Sequence, residues 1–333
     1  MPRSCYCRPM QKGVRRFFRA AAGTAVALAA AVAGAQQYPA GLVRVITPGV
    51  PFGLTDITAR LVALKVAEPL GQQVIVQNRT EADGTAGTSL VARSAPDGHT
   101  LLVIDGSHTV NAHLFRTLDY DAVADFAPVS LLARTPLALV VNTHVPAKSV
   151  SGLVQLARAR PGLVTFATTG PGSAARLMME TLKLDAGIGV TPASYEDVAQ
   201  ALAGIAGGRT DAIFVTVPAA ADHVASGRIR ALAVTSEAPS PALPGVPVMK
   251  DAFPAFVAYF WVGMLAPAKT PSAIVARLNA DVVKVLRSEE LKTRLDDLGL
   301  EAVGSTPGEF AQLLKREVER WGRVIRAQKI TLE

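Results

Sequence analysis

From residue 38 to the end, short apolar runs alternate along the chain with longer stretches in which apolar residues recur at helical spacing. "LVRVIT" (42–47), "QVIVQN" (73–78), "LALVVN" (137–142), "LVTFATT" (163–169), "TDAIFVT" (210–216) and "RIRALAVT" (228–235) are β-rich and of strand length. "APDGHTLLVI" (95–104) is a turn running into another strand. The first strand leads through a turn crowded with Pro and Gly, "TPGVPFG", into a helix over Thr55–Leu70. Ile57, Leu61 and Leu64 are expected on its buried face, with Gly71 as its stop. The longest apolar run, "FVAYFWVGMLAP" (256–267), is interrupted by small and polar residues and reads as a buried strand. Strands alternating with helices at this spacing predict parallel sheets covered by helices on both faces.

Near the C-terminus the pattern turns helical. Thr270-Pro271 and Thr306-Pro307 each place an N-cap residue before Pro at the first helical position, and Thr306 with Glu309 forms a capping box. Phe310, Leu314, Val318, Trp321 and Ile325 then mark one apolar face, expected to pack across the body of the protein. Lys315, Arg316 and Glu319 mark a solvated one.

The first 35 residues change the charge reading. Arg3, Arg8, Lys12, Arg15, Arg16 and Arg19 precede an Ala/Val/Leu run that ends in Ala33-Gly34-Ala35. This is the pattern of a secretory signal peptide over residues 1–35, cleaved near Ala35. Its apolar run is shorter than the roughly 20 residues a spanning helix needs, which argues against an uncleaved anchor. Arg15-Arg16 with Phe18 partly matches a twin-arginine signal. Those six basic residues account for almost all of the net +7, leaving 28 basic against 27 acidic residues in the exported portion. That balance gives no footing for nucleic-acid binding. Cys5 and Cys7 also leave with the leader, so neither a disulfide framework nor a thiolate site is expected.

Catalytic motifs are sparse. The sequence contains no G-x-S-x-G elbow, H-E-x-x-H, P-loop or C-x-x-C. His108 and His113 are five residues apart, which is not same-face helical spacing, and no metal site is expected. Ser107 and His108 are adjacent, an arrangement that rarely holds nucleophile–base geometry. Small, glycine-bearing loops after strands are abundant instead: "TPGVPFG", "NRTEADGTAG" (78–87), "IDGSHT" (104–109), "ATTGPGSAA" (167–175) and "FVTVPAA" (214–220). In parallel α/β sheets ligands sit outside the C-terminal strand ends, where these loops lie, so binding is favoured over catalysis.

Several segments carry a family likeness: "YPAGLVRVITP…GLTDITARLVA", "GQQVIVQNR", "APDGHTLL", "YDAVADFAPVSLLA", "VPAKSVSGLVQLARARPG", "GRIRALAVTSEAPSPALPGVPV", "GMLAPAKTP" and the Trp321 helix. Together, from about Tyr38 to Ile330, the chain resembles the Bug-type solute receptors, the periplasmic receptors of tripartite tricarboxylate transporters. The resemblance implies a type II periplasmic-binding-protein-like α/β fold with two lobes, a hinge and a ligand cleft. One lobe is expected over 36–138 and 259–333 with the C-terminal helices, the other over 139–258. It also implies a monomeric periplasmic protein without cofactor or catalysis. Its partners are a small carboxylate, amino acid or amide and the membrane subunits of a transporter. The ligand-binding residues it points to are Pro51, Phe52, Gly53 and Asp56; Gly84 and Gly87; Ser107 and His108; and, from the other lobe, Thr169, Gly172, Ser173, Tyr195 and Thr216.

The departures from the family pattern matter. Where the family's first loop resembles "PFPPGGxxD", this chain has "PGVPFGLTD", with Phe52 in place of a Gly. A non-Gly residue at positive φ is costly, so the sequence predicts either a rebuilt turn or a positive φ at Gly53 alone. "NRPGAGGxxG" has become "NRTEADGTAG", "PYKG" has become "SYED" and the Asn of "DN-P" has become Thr216. Glu81, Asp83, Glu196 and Asp197 are thereby added, and the rim is their expected place. If they face inward, the ligand should carry a positive or neutral polar group. Two other functions fit the same fold: a sensing receptor that presents its closed form to a membrane kinase, and an exported enzyme using Ser107–His108.

Overall fold

The computed structural model describes Met1 and residues 38–332; beyond Met1 the expected leader, with its expected cleavage site, lies outside the described residues. All elements named below belong to one unit, Gly41–Glu333. They run β1 (Val43–Thr47), α1 (Leu54–Leu70), β2 (Val74–Asn78), α2 (Thr85–Ala92), β3 (Thr100–Asp105), α3 (Ser107–Leu114) and β4 (Phe126–Asn142). Then come α4 (Val150–Ala159), β5 (Thr165–Thr168), α5 (Ala174–Ala186), β6 (Thr191–Ser194), α6 (Val198–Ala206), β7 (Ala212–Thr216), α7 (Val217–Ala225) and β8 (Ile229–Val234). The chain finishes with β9 (Tyr259–Pro267), α8 (Ser272–Leu286), α9 (Glu289–Asp297), β10 (Glu301–Ala302) and α10 (Pro307–Gln328).

The strands pair in the order β2-β1-β3-β9-β4-β7-β5-β6, with β8 and β10 also on β4. β1 pairs parallel with β2 and β3, and β5 pairs parallel with β6 and β7. The centre departs from the all-parallel expectation: β9 runs antiparallel to β3 and β4, and β4 antiparallel to β7 and β8. The sheet is therefore mixed. The cause is β4, a single 17-residue strand where "LALVVN" alone reads as one. Pro128 and Pro136 interrupt its β pattern in sequence. Pro128 adjoins a register shift in the ladder, and Pro136 is the last residue opposite β9, both tolerated places for a residue without an N–H. At Pro136/Leu137 the pairing passes from Tyr259 on β9 to Thr216 on β7.

Helices cover the two parts of this sheet. Phe166, Leu177, Met179, Phe214 and Phe256 form a core together with Trp321, Val324 and Ile325 from α10. Val110 and Leu114 of α3 belong to the same cluster, so α3 and α10 pack against the β5–β7 part. A separate cluster joins Ile46, Leu102, Ile104, Trp261 and Leu265 to Phe310 and Leu314 of α10. The long C-terminal helix thus crosses the body as its pattern predicts. The Thr306 hydroxyl accepts from the Glu309 N–H while Glu309 accepts from the Thr306 N–H, completing the capping box.

Two local expectations fail. The buried face of α1 is Thr55, Thr58, Ala59, Val62, Ala63, Val66 and Leu70, while Leu64 is 70% exposed. Small and β-branched residues win this face because α1 lies close on the sheet and on α8, where Leu side chains would hold the backbones apart. At Thr270-Pro271 the helix begins one residue later than predicted: Pro271 is itself the N-cap, without a side-chain cap, and Thr270 is buried.

Candidate functional site

β1, β2 and β3 are parallel, so their C-terminal residues Thr47, Asn78 and Asp105 share one edge, and the loops after them meet there. Asn78 Nδ2 donates to the Gly49 carbonyl at 3.0 Å and to Asp56 Oδ1 at 2.8 Å, tying the first loop to β2. A Cβ added to Gly84, at φ +80°, would lie 2.5 Å from Pro48 Cβ, so only glycine lets the second loop approach the first. Gly87 meets the same constraint lower down, since its Cβ would come 2.8 Å from the Arg79 carbonyl oxygen. Thr55 Oγ1 donates to Asp105 Oδ2 at 2.6 Å, and the Ser107 N–H donates to Asp105 Oδ1 at 2.9 Å, joining the third loop to the first.

The helices that leave these loops share a feature. α1, α2 and α3 each have glycine at the N-cap, Gly53, Gly84 and Gly106, which has no side chain to cap with. Elsewhere α4, α9 and α10 are capped by Ser149, Ser288 and Thr306. Three N-termini at one edge aim the positive ends of their helix dipoles at whatever lies outside it, although the Ser107 N–H of α3 is taken by Asp105 and the Thr85 and Ala86 N–H groups of α2 by the Ala82 and Glu81 carbonyls.

Phe52 overturns the expectation of a positive φ at Gly53 alone. Phe52 itself has φ 64°, and Gly53 is at φ −72°. The Phe52 N–H donates to Asp56 Oδ2 at 2.9 Å, which holds the conformation, and the ring is 86% exposed. Asp83 at φ 53° is likewise left-handed, at a position where the family pattern has glycine. Strain of this kind, about 1 kcal/mol per residue, persists only where neighbouring bonds enforce it.

Asp56 and His108 lie beneath the surface, not on it. Asp56 is 1% exposed, and its carboxylate also takes Arg60 Nε at 3.0 Å. Burial pushes its pKa up, but the hydrogen bonds from Arg60, Phe52 and Asn78 outweigh that and hold it below the usual carboxylate range. His108 is 2% exposed; its Nε2 meets the Ala122 carbonyl at 2.8 Å, and its ring stacks on Tyr120 and meets Phe126 edge-on. Burial brings its pKa down to about 4, against the pull of Asp105 and Asp121. Exposed Ser107 therefore has no base in His108, and the Ser–His pair has no catalytic geometry.

On the β5–β7 part, the C-terminal ends of the parallel strands carry Thr169, Gly172, Ser173, Tyr195 and Thr216. A Cβ on Gly172 would sit 3.0 Å from Leu114 Cδ1 and 3.5 Å from Val110 Cγ1, so this loop abuts α3, whose N-terminus belongs to the first group of loops. Ser173 caps α5 and shares a hydrogen bond with Thr168 at 3.1 Å. The Tyr195 hydroxyl is held by Thr210 at 2.5 Å, and the ring lies over Gly204 of α6. Thr216 stands at the N-cap of α7, yet its hydroxyl makes no capping bond. Glu81, Asp83, Glu196 and Asp197 are all exposed; Glu81 pairs with Arg79 at 3.7 Å and Asp197 caps α6 through the Gln200 N–H. Thr55, Asn78 and Asp105 were missed by sequence reasoning, although Asn and Asp at strand ends are turn formers and gave a usable signal.

A groove of about 1520 Å³ lies elsewhere, lined by Tyr259, Trp261, Arg134 and the Arg316–Arg323 stretch of α10, and contains none of these loop residues. No group of His, Cys, Asp and Glu suited to a metal ion occurs among the described residues, and no helix there is long and apolar enough to cross a membrane.

Residues 58–330 match the family described as the tripartite tricarboxylate transporter family receptor. The chain is 35% identical over 300 residues to Protein BugT of Bordetella pertussis, covering 89% of this chain and 92% of that protein. It superposes on R. palustris Rpa4515 with adipate at a TM-score of 0.74 and 32% identity, covering 88% of this chain and 99% of the other. MatC (Rpa3494) from Rhodopseudomonas palustris with bound malate is similar at a TM-score of 0.72 and 31% identity, over 86% and 100% of the two chains. The chain belongs to the tripartite tricarboxylate transporter receptor family, a family of receptors and not of enzymes.

Proposed function

We propose that this receptor captures a small carboxylate-bearing metabolite in the periplasm, after export by its cleaved leader, and delivers it as a monomer to the membrane subunits of a tripartite transporter. The observation that carries this reading is the convergence of three helix N-termini with glycine N-caps, Gly53, Gly84 and Gly106, on one sheet edge. Such an edge favours a carboxylate without any side-chain cation. The ligand-bound relatives, solved with adipate and with malate, support the same class.

In this reading residues 36–138 with 259–333 and residues 139–258 act as two lobes that close on the ligand. The switch of β4 pairing at Pro136/Leu137 supports that division. Pro51, Phe52, Gly53, Gly84, Gly87 and Ser107 would offer backbone and hydroxyl groups from one side; Thr169, Gly172, Ser173, Tyr195 and Thr216 would face them. Asp56 and His108 would support the loops from below.

The test is thermal unfolding of the protein purified from the periplasmic fraction, with a panel of dicarboxylates, hydroxy acids and amino acids. Ligand at a hundred times its Kd stabilises the folded state by about 2.7 kcal/mol, an easily read shift. A panel without one stabilising compound would refute the reading.

A further inference from the structure

From the charges around this edge we infer that Asp105 is a specificity-determining residue, and that the ligand carries a protonated amine or similar cation beside its carboxylate. This deepens the receptor reading above and rests on it. The loops concerned contain one basic side chain, Arg79, against five acidic ones: Glu81, Asp83, Asp105, Glu196 and Asp197. Arg79 faces Glu81, and nearby Arg60 is taken by Asp56 and Asn78. No cation is therefore left over at these loops among the described residues to neutralise a second carboxylate.

Four of the five acids are exposed, where solvent screens them. Asp105 differs. It is half-buried at the end of β3, at the junction of the first and third loops, beside the N-termini of α1 and α3. Its two oxygens each accept one bond from the protein, from the Thr55 hydroxyl and the Ser107 N–H. A carboxylate oxygen accepts two, so one acceptor site on each remains. A ligand carboxylate on the helix N-termini close to Asp105 meets like charge in a shielded place unless a cation intervenes. An ammonium group on the ligand removes that repulsion and uses the remaining acceptor capacity. The recognition is then of a zwitterion, dipoles for the carboxylate and Asp105 for the amine.

The experiment compares matched pairs differing in the amine: L-aspartate with succinate, L-glutamate with glutarate, and L-2-aminoadipate with adipate. Each is titrated calorimetrically into the wild-type receptor and into Asp105→Asn, whose amide oxygen still accepts from Thr55 or Ser107. In one pair, the wild type is expected to bind the amine-bearing member at least tenfold more tightly, and Asp105→Asn to lose that preference at little cost in thermal stability. A Thr55→Val variant should lower stability yet keep the preference, separating the charge from the tether. Plain diacids bound as tightly as their amino partners, or a preference unchanged in Asp105→Asn, would overturn the inference while leaving the receptor reading standing. Binding of no compound by the wild type would overturn both.

Discussion

His108 gives the sharpest quantitative test, because its environment sets both the sign and the size of a pH effect. The imidazole is buried among Tyr120 and Phe126, and burial lowers its pKa from 6.5 to about 4. Above pH 6.5 the ring is neutral in folded and unfolded chains alike and contributes no pH dependence. As pH falls from about 6.5 to about 4 the unfolded chain takes up a proton that the folded one refuses, so stability is lost across that window. The difference corresponds to about 3 kcal/mol at 1.36 kcal/mol per pH unit. The assay is urea unfolding at pH 7.5, 6.5, 5.5 and 4.5 for the wild type and His108→Phe, which keeps an aromatic ring between Tyr120 and Phe126. The variant leaves the Ala122 carbonyl without its partner and should be less stable at pH 7.5 by about 1–3 kcal/mol. The gap should close as pH falls, since the carboxylates common to both proteins cancel in the difference. A gap that stays constant from pH 7.5 to 4.5 would refute the reasoning.

Other substitutions test the loop geometry. Gly84→Ala forces a Cβ to 2.5 Å from Pro48 Cβ at a φ of +80° and should cost more than about 2 kcal/mol and abolish ligand binding; Gly71→Ala, at φ +64° with open space around it, should cost about 1 kcal/mol. At position 52 glycine should be more stable than alanine by about 1 kcal/mol in urea unfolding, because φ is 64° there; alanine proving the more stable would show that the turn relaxes. Asp56→Asn should destabilise by about 2 kcal/mol at pH 7, because it removes the negative partner of Arg60 in a nearly buried place. The lowered pKa of Asp56 makes its contribution present above the ordinary carboxylate pKa and lost as pH falls below it, so wild type and variant should converge in acid.

Much of this was legible in the sequence. Period-two and helical-period segments located most of the elements, and Thr306 with Glu309 announced the start of α10. The glycine loops pointed to the strand ends where Gly84 and Gly87 prove necessary. What sequence could not supply was register and facing. Nothing local in "DFAPVSLLARTPLALVVN" says that it runs as one strand through two prolines, because its continuity depends on β9 and β7, distant in sequence. The buried side of α1 was misread because hydrophobicity favours Leu64, while close packing on the sheet and α8 selects Ala59 and Ala63. His108 and Asp56 look like ligand residues in a motif, and only burial shows them serving the loops from beneath. Asp105 looked like an ordinary turn residue until its neighbours were placed around it.

β4 carries a consequence for how the protein comes apart. One strand supplies hydrogen-bond partners to β9 and β10 along its first part and to β7 and β8 along its last, so neither sheet part has a complete edge without it. α10 adds a second shared element, because its apolar face belongs to two of the cores, one on each sheet part. Fragments cut at the β4 crossover should therefore not survive as independently folding pieces. Despite its size the receptor should melt in a single cooperative transition, whichever part is destabilised first.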